Sequence, residues 1–183
     1  MGWKGSDTRS IFFDNMKIPS TNILGNTQKG FNQFLETLTG GRITIAALAL
    51  GISQGAYNLA LHYSQEREAF GKKINKFQGV SFKLADMATQ IEATRHMVYN
   101  TAWLKDNNNS IIKEAAMAKL FSSEVAMKIT TEAIQIHGGY GYIREYNVER
   151  FFRDAKILEI GEGTSEVQRI VISREILKSF NNQ

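Results

Sequence analysis

Apolar residues follow two different spacings, and these divide the chain into two parts. From Phe31 onward they recur every three or four positions, which is the period of an amphipathic helix. Before that point, Ser10 to Pro19 is rich in Ile and Phe and closed by proline, which predicts a strand, and Asn22 to Gly30 predicts a loop. A single strand cannot satisfy its own backbone, so we expect its partner strands to lie outside this chain.

Four long helices are predicted in the second part. The first runs from about Gly40 to Gln65, and its Gly51 and Gly55 lie one turn apart, where the backbone of another helix can approach closely. The last begins near Ser165 and reaches about Ser179.

The second and third helices have the clearest apolar faces. The second extends from Gln78 to about Lys105, and the third starts with Ser110 as N-cap and stops at Gly138-Gly139. The predicted buried stripes are Val80, Leu84, Met87, Ile91, Thr94, Val98 and Ala102 on the second helix, and Ala115, Ala118, Ser122, Val125, Ile129, Ala133 and Ile136 on the third.

These lengths predict an all-α fold, an antiparallel four-helix bundle preceded by a short strand. Helices of about 25 residues are ~38 Å long at ~1.5 Å per residue, and short turns between them make neighbours antiparallel. The one proline of the chain, Pro19, precedes all four helices, so nothing after it breaks a helix interior.

Composition narrows the possible functions. The net charge of +4 comes from interspersed acidic and basic residues without a run of like charge, which favours a solvated surface over a nucleic-acid site. The absence of cysteine excludes disulfides, cysteine-ligated metals and thiol nucleophiles. We find no apolar stretch long enough for a membrane span and no signal-peptide pattern at the start.

Familiar catalytic motifs are missing. The three histidines, His62, His96 and His137, are far apart and none has a metal-ligand spacing. Neither a GxSxG elbow, a P-loop nor a GxGxxG fingerprint occurs, so metal hydrolysis, serine hydrolysis and nucleoside-triphosphate chemistry have no support.

Two glycine-punctuated segments have more than one interpretation. In Arg67 to Gly71, an arginine and an aromatic ring beside a glycine can hold a phosphate and stack on a base, but an interhelical turn with a buried Phe has the same pattern. In Gln135 to Gly141, three glycines in four positions let backbone amides approach a ligand, or simply end a helix.

A third segment, Gly161 to Ser165, places Glu162 between two glycines just before the last helix. Thr164 or Ser165 would cap that helix, and Glu166 would be acidic in its first turn. Both glutamates can be explained as favourable at a helix start. The small neighbours of Glu162 nevertheless leave room for an incoming substrate, which favours a chemical role.

The chain resembles the acyl-CoA dehydrogenase family in four segments that occur in the family's order: EREAFG (66–71), FQ (77–78), QIHGGYGY (135–142) and RDAKILEIGEGTSEVQR (153–169). Gly5 to Thr8, the predicted strand and Leu24-Gly25 resemble the family's middle β-domain. The resemblance therefore implies that residues 1–28 are the end of that β-domain with its linker, and that residues 29–183 are the carboxy-terminal four-helix bundle.

The resemblance implies an FAD-dependent α,β-dehydrogenation of a short- or medium-chain acyl-CoA, branched chains included, to the trans-2-enoyl-CoA. Electrons then pass to an electron-transferring flavoprotein. It also implies a homo-oligomer, dimer or tetramer, in the bacterial cytoplasm or the mitochondrial matrix, with the cytoplasm preferred. The fragment alone is expected to be inactive.

Site residues follow from the same resemblance. Glu162 matches the catalytic base, because the position that carries the base in the isovaleryl and long-chain branches is Gly41 here. Arg42 and Gly163 match substrate contacts, and Arg67 and Gln78 match residues that reach FAD across a subunit interface. The full set of expected FAD contacts is Arg67, Phe70, Gln78, Gln135, Ile136, His137, Gly138, Gly139, Thr164 and Glu166.

Two alternatives stay open. One is an acyl-CoA oxidase on the same fold, which would consume oxygen without an added acceptor. The other is a truncated module for FAD binding and oligomerisation that has no activity of its own. A DNA-binding role would need a clustered basic extension, which the sequence lacks.

Overall fold

A computed structural model of the chain describes residues 1–181. In that range it contains five α-helices, one two-stranded antiparallel sheet and four short 3-10 turns. The helices are α1 (Gly30–Glu66), α2 (Gln78–Asp106), α3 (Ile112–His137), α4 (Val148–Ala155) and α5 (Ser165–Asn181), the strands are β1 (Glu68–Ala69) and β2 (Lys72–Lys73), and the 3-10 turns are Ser20–Asn22, Ile74–Lys76, Gly138–Tyr142 and Lys156–Glu159.

The long helix α3 lies at the centre of the bundle. It packs most extensively along α1, and α2, α4 and α5 also contact it. Its buried positions are mostly small, and small side chains let neighbouring helices approach closely on several sides. The predicted four-helix bundle is confirmed, with the short helix α4 as an additional element between α3 and α5.

The apolar stripes predicted on α2 and α3 form the core. The seven residues of the α3 stripe are all buried, from Ala115 to Ile136. On α2 the five residues from Leu84 to Val98 are buried, and Val80 and Ala102 at the two ends are half-buried. Full burial of one such side chain contributes roughly 1.5–3 kcal/mol, so this pattern accounts for the side-by-side packing of the helices.

Two helix starts differ from the prediction. Helix α1 begins at Gly30, ten residues before the predicted start at Gly40. Gly40 and Gly41 lie inside the helix and do not mark its beginning. Helix α3 begins after Ile111, and no side chain caps it, so Ser110 is not its N-cap. The side chain of Ile111 is buried there, which anchors the entry by packing instead. The predicted stop at Gly138 is confirmed, since its φ is 60°.

The prediction of a strand over Ser10 to Pro19 is wrong. The described chain has no strand there, and Ile11, Phe12 and Phe13 are exposed. A strand needs a neighbour for its backbone, and residues 1–181 offer none to this segment. The start of the chain is tied to the bundle at Trp3, whose backbone N–H donates to Asp154 Oδ1 at 2.7 Å.

The two glycines of α1 differ in what they face. A Cβ on Gly55 would lie 2.6 Å from the Phe151 ring of α4, whereas a Cβ on Gly51 would have no atom within 4 Å. The prediction that a helix backbone approaches both is therefore wrong. The close neighbour is an aromatic ring, and only Gly55 has one.

Among residues 1–181, α1 alone is long and apolar enough to cross a membrane by length and composition. This departs from the expectation that no apolar stretch reaches that size. The core helix of a bundle passes the same test, and α1 buries Ala46, Ala49 and Ala56 against its neighbours. We therefore assign α1 to the core of the bundle.

The contrast between the two glycines predicts opposite effects of one substitution. Gly51→Ala replaces a poor helix former in open space, so we expect the free energy of unfolding to rise by about 0.5–1 kcal/mol. Gly55→Ala drives Cβ into the Phe151 ring, and we expect it to be less stable than Gly51→Ala by about 1–3 kcal/mol. Urea unfolding followed by helical circular dichroism measures both, and equal stabilities would contradict the packing of α4 on α1.

Candidate active site

The loop Gly161–Thr164 joins the 3-10 turn Lys156–Glu159 to α5 and holds the predicted base. Two consecutive residues adopt left-handed backbone conformations there, Glu162 with φ 56° and Gly163 with φ 90°. For a residue with a Cβ this conformation costs roughly 1–2 kcal/mol, whereas glycine tolerates it. A carboxylate held in such a position is a functional hypothesis in its own right.

Two fully buried polar side chains fasten this loop. Lys119 Nζ on α3 donates to the Gly163 carbonyl at 2.7 Å. Gln168 Nε2 on α5 donates to the carbonyls of Glu162 at 3.1 Å and Gly163 at 2.8 Å. Sequence reasoning missed both residues. For Lys119 a signal existed, because it follows Ala115 and precedes Ser122 at the helical spacing of a buried face.

The side chain of Glu162 points at α1. A Cβ on Gly41 would lie 2.7 Å from Glu162 Oε2, so the carboxylate occupies space that only glycine leaves open. Glu162 itself is half-buried. Gly41 inside α1 thus has a structural reason, which is the approach of this carboxylate.

Arg42 lies beside Glu162 and is only 6% exposed. Burial lowers the pKa of its guanidinium, and the negative charge of Glu162 opposes that shift. So little of Arg42 is exposed that it has a small surface for a direct ligand contact. Its charge compensates the Glu162 carboxylate from within the fold.

Lys119 has charged neighbours of both signs. Burial lowers the pKa of its ammonium, the carboxylates of Glu159, Glu162 and Glu166 raise it, and Arg42 lowers it further. Two buried cations and three carboxylates therefore interact around one loop.

The start of α5 is capped as predicted. Thr164 Oγ1 accepts a hydrogen bond from the Val167 backbone N–H at 3.3 Å. Glu166 is exposed, and hydrogen bonds from its own backbone N–H and from the Thr164 hydroxyl lower its pKa.

Three buried polar atoms around the loop have no hydrogen-bond partner in the described chain: Arg42 Nε, Ser165 Oγ and Gln168 Oε1. Buried polar groups normally have partners, and each exception calls for an explanation such as a bound water or ligand. The clustering of these three at one loop fits a site whose contacts are incomplete without another molecule.

A second group of predicted residues lines a separate cleft of about 530 Å³. Arg67 lies over the Tyr140 ring, with its guanidinium carbon 5.6 Å from the ring centroid, and the buried His137 ring stacks on Tyr63 at 4.4 Å. Burial lowers the pKa of His137, although its hydrogen bond to the Ala133 carbonyl opposes this. The predicted cofactor residues that this cleft brings together are Arg67, Ile136, His137, Gly138 and Gly139.

This cleft is suited to a phosphate next to a ring. Arg67 supplies a fork of donors, and a Cβ on Gly138 or Gly139 would meet no atom within 4 Å, so the turn leaves space for close approach to its backbone. The faces of Tyr63 and Tyr140 provide stacking surfaces.

Phe70 and Gln78 flank the cleft-forming segment. Phe70 lies at the tip of the β1–β2 hairpin with φ 50° and is 96% exposed, so the alternative of a buried Phe in an interhelical turn is wrong. Gln78 is exposed at the first position of α2. Gln135 does not join the Arg67 cleft, because it faces a different one lined by Ile134 and Tyr142.

The two groups are far apart. Arg42 lies in the first half of α1 and Arg67 just after its end, a separation of about 38 Å along the helix at ~1.5 Å per residue. Glu162 lies against Gly41 and not beside the Gln135–Gly139 turn, so the predicted site residues of one chain form two separate groups.

The strained backbone of Glu162 predicts a conflict between stability and function. Glu162→Gly removes the Cβ that disfavours φ 56°, and we expect the free energy of unfolding to rise by about 1 kcal/mol. Glu162→Gln keeps the Cβ and serves as the matched control, with a stability near that of the wild type. Urea unfolding of the three proteins tests this, and a Gly variant no more stable than the Gln variant would contradict the assigned strain.

Comparison with known proteins agrees with this architecture. The sequence profile described as "Acyl-CoA dehydrogenase, C-terminal domain" matches residues 28–177. "Probable acyl-CoA dehydrogenase YngJ" of Bacillus subtilis is 57% identical over 178 residues, which are 97% of this chain and 47% of that protein. "Caffeyl-CoA reductase-Etf complex subunit CarC" of Acetobacterium woodii is 48% identical over 178 residues, again 97% and 47% of the two chains.

The solved structure of butyryl-CoA dehydrogenase from Megasphaera elsdenii is also similar. It superposes with a TM-score of 0.89 at 52% identity, over 90% of this chain and 43% of that one. The chain thus spans about half the length of the curated relatives that it matches. The helical bundle, the glycine-flanked Glu162 and this similarity together show that the chain belongs to the acyl-CoA dehydrogenase family.

Proposed function

We propose that this chain supplies the catalytic base, Glu162, of an FAD-dependent enzyme that converts a short-chain acyl-CoA into the trans-2-enoyl-CoA. The observation that carries the proposal is the Glu162 carboxylate on a strained loop, clamped from inside the bundle and given space by Gly41. The short-chain assignment rests on the similarity to butyryl-CoA dehydrogenase.

The chemistry requires a carboxylate in such surroundings. The proton on the carbon next to a thioester carbonyl is weakly acidic, so its removal needs a base at hydrogen-bonding distance and a polarised carbonyl. Glu162 removes that proton, and the acyl chain that packs over the half-buried carboxylate excludes water from it. When bound, FAD accepts the β-hydrogen as hydride.

The surrounding residues prepare the base. Arg42 and Lys119 are buried cations near the negative charge of Glu162, and Gly163 presents its backbone to the substrate next to the base. Arg42 acts through Glu162 in this proposal and not by direct contact with the substrate, because almost none of its surface is accessible.

The Arg67 cleft would hold the pyrophosphate and adenosine of FAD, with Phe70 and Gln78 beside it, whereas Thr164 and Glu166 would contact FAD at the base. Because Arg42, which lies beside the base, and Arg67 are about 38 Å apart along α1, we infer that two copies of the chain each contribute one half-site to the same FAD. The protein is then a homo-oligomer, and the chain alone is a cofactor-binding and oligomerisation module without activity.

Residues 1–28 fit this arrangement as the end of a preceding β-domain. The exposed Ile11, Phe12 and Phe13 would gain burial from that domain. Residues 29–183 would then be the helical domain, of which 182 and 183 lie outside the described residues.

The reaction direction has a second candidate. The relative CarC is named as a reductase subunit of an Etf complex, which fits electron exchange with an electron-transferring flavoprotein. By microscopic reversibility, Glu162 in its protonated form would donate the same proton when an enoyl-CoA is reduced. The base and its clamp serve both directions equally.

The role of Glu162 is tested in the full-length enzyme, by which we mean this chain joined to the amino-terminal half that its relatives carry. Glu162→Gln is expected to keep FAD, measured by its visible absorption, and to lose turnover of butyryl-CoA by at least about 100-fold, since a general base contributes roughly 10²–10⁴. Glu92→Gln, at an exposed position of α2, is the matched control and keeps wild-type turnover.

Near-normal turnover of Glu162→Gln would remove Glu162 as the base. Running the assay with oxygen as the only acceptor also separates the alternatives, because oxygen consumption without an added flavoprotein or dye would assign the enzyme as an oxidase.

A further inference from the structure

We propose that Lys119 is a positioning residue for the reaction: its ammonium group holds the Gly163 carbonyl from inside the bundle and thereby fixes the direction of the Glu162 carboxylate. This inference rests on the proposed role of Glu162 as base. It concerns how the base is held, which the proposed function leaves open.

Lys119 is completely buried. Its exposed fraction is 0%, and lysine is almost never fully buried without a partner. An apolar side chain at this position would pack on the small neighbours of α3 without the desolvation penalty of an ammonium group. The direct hydrogen bond of Lys119 goes to the Gly163 carbonyl at 2.7 Å, so that penalty is offset at the active-site loop.

The loop geometry also depends on Lys119. Glu162 and Gly163 both have positive φ values, a combination that needs its surroundings to enforce it. Lys119 and Gln168 converge on the same Gly163 carbonyl, Lys119 from α3 and Gln168 from α5. Without the anchor from α3, Gln168 alone holds these carbonyls, so Glu162 can relax towards an unstrained conformation and its carboxylate would turn.

The charges around Lys119 also draw its ammonium group to the loop. The groups that face it are Arg42 from α1, Glu159 from the 3-10 turn, Glu162 from the loop and Glu166 from α5. Burial lowers the pKa of the ammonium group, and the three acidic groups oppose that shift against the one basic group.

The test uses the full-length enzyme with Lys119→Met, which keeps the length of the side chain but removes its charge and its donor. We expect FAD content and KM within about twofold of the wild type and a kcat lowered at least about 10-fold, because a displacement of about 1 Å at a reacting group costs up to roughly 100-fold.

Lys128→Met is the matched control. It makes the same substitution on the same helix at an exposed position, and it should leave kcat and KM unchanged. A Lys119→Met enzyme with the kcat and KM of the Lys128→Met enzyme would overturn the proposal and leave Glu162 as the base.

If Lys119→Met does not fold, Lys119→Gln carries the test, because it restores a polar side chain in the buried position. A lowered kcat at unchanged KM, FAD content and melting temperature supports the positioning role, whereas wild-type kinetics refute it. Retained turnover by Glu162→Gln is a separate result, since it would reject the proposed function itself.

Discussion

The structure depends on the close packing of α3 at the centre of the bundle. Every other α-helix among residues 1–181 contacts it, and its buried positions are mostly Ala, Ser and Thr. Small side chains let the helices approach on several sides, and tight packing of this kind leaves little freedom for a side chain that must be accommodated. Lys119 differs from these small residues because it is long and charged. Its ammonium group reaches from α3 to the Gly163 carbonyl of the loop.

This packing connects stability to function. The interior of the bundle keeps one ammonium group and one amide in place, and these hold a strained loop in which a glutamate occupies a conformation suited to glycine. Gly41 of α1 lies against the Glu162 side chain and leaves the space that the Glu162 carboxylate fills. Two features of the fold are therefore energetically unfavourable, the burial of Lys119 and the left-handed backbone of Glu162. Both concern the same carboxylate.

Much of the fold was predictable because its helices follow one strong period. The stripes on α2 and α3 and the stop at Gly138 depend on local spacing and on the conformational freedom of glycine, both of which a sequence displays. The start of α1 was not predictable from Gly40-Gly41, because Gly41 serves a contact with Glu162, 121 positions later in the sequence. The strand over Ser10 to Pro19 failed for a similar reason, since a strand depends on partners that its own sequence does not specify.

The candidate site shows the same contrast between features that local sequence predicts and features that tertiary packing decides. Glu162 and the Arg67 cleft were identified from short segments, but their separation along α1 and the outward direction of Gln135 follow from tertiary packing. Lys119 and Gln168 were missed because each is a single polar residue within a helical pattern, and only the folded chain shows that both meet at Gly163.

The central claim is that this clamp presents the Glu162 carboxylate to the substrate. A crystal structure of the full-length enzyme with a bound acyl-CoA tests it most directly. The account predicts a Glu162 carboxylate oxygen about 3–3.5 Å from the carbon next to the thioester, with the Lys119 to Gly163 hydrogen bond intact. A carboxylate of another residue at that carbon, or Glu162 turned away from the acyl chain, would contradict it.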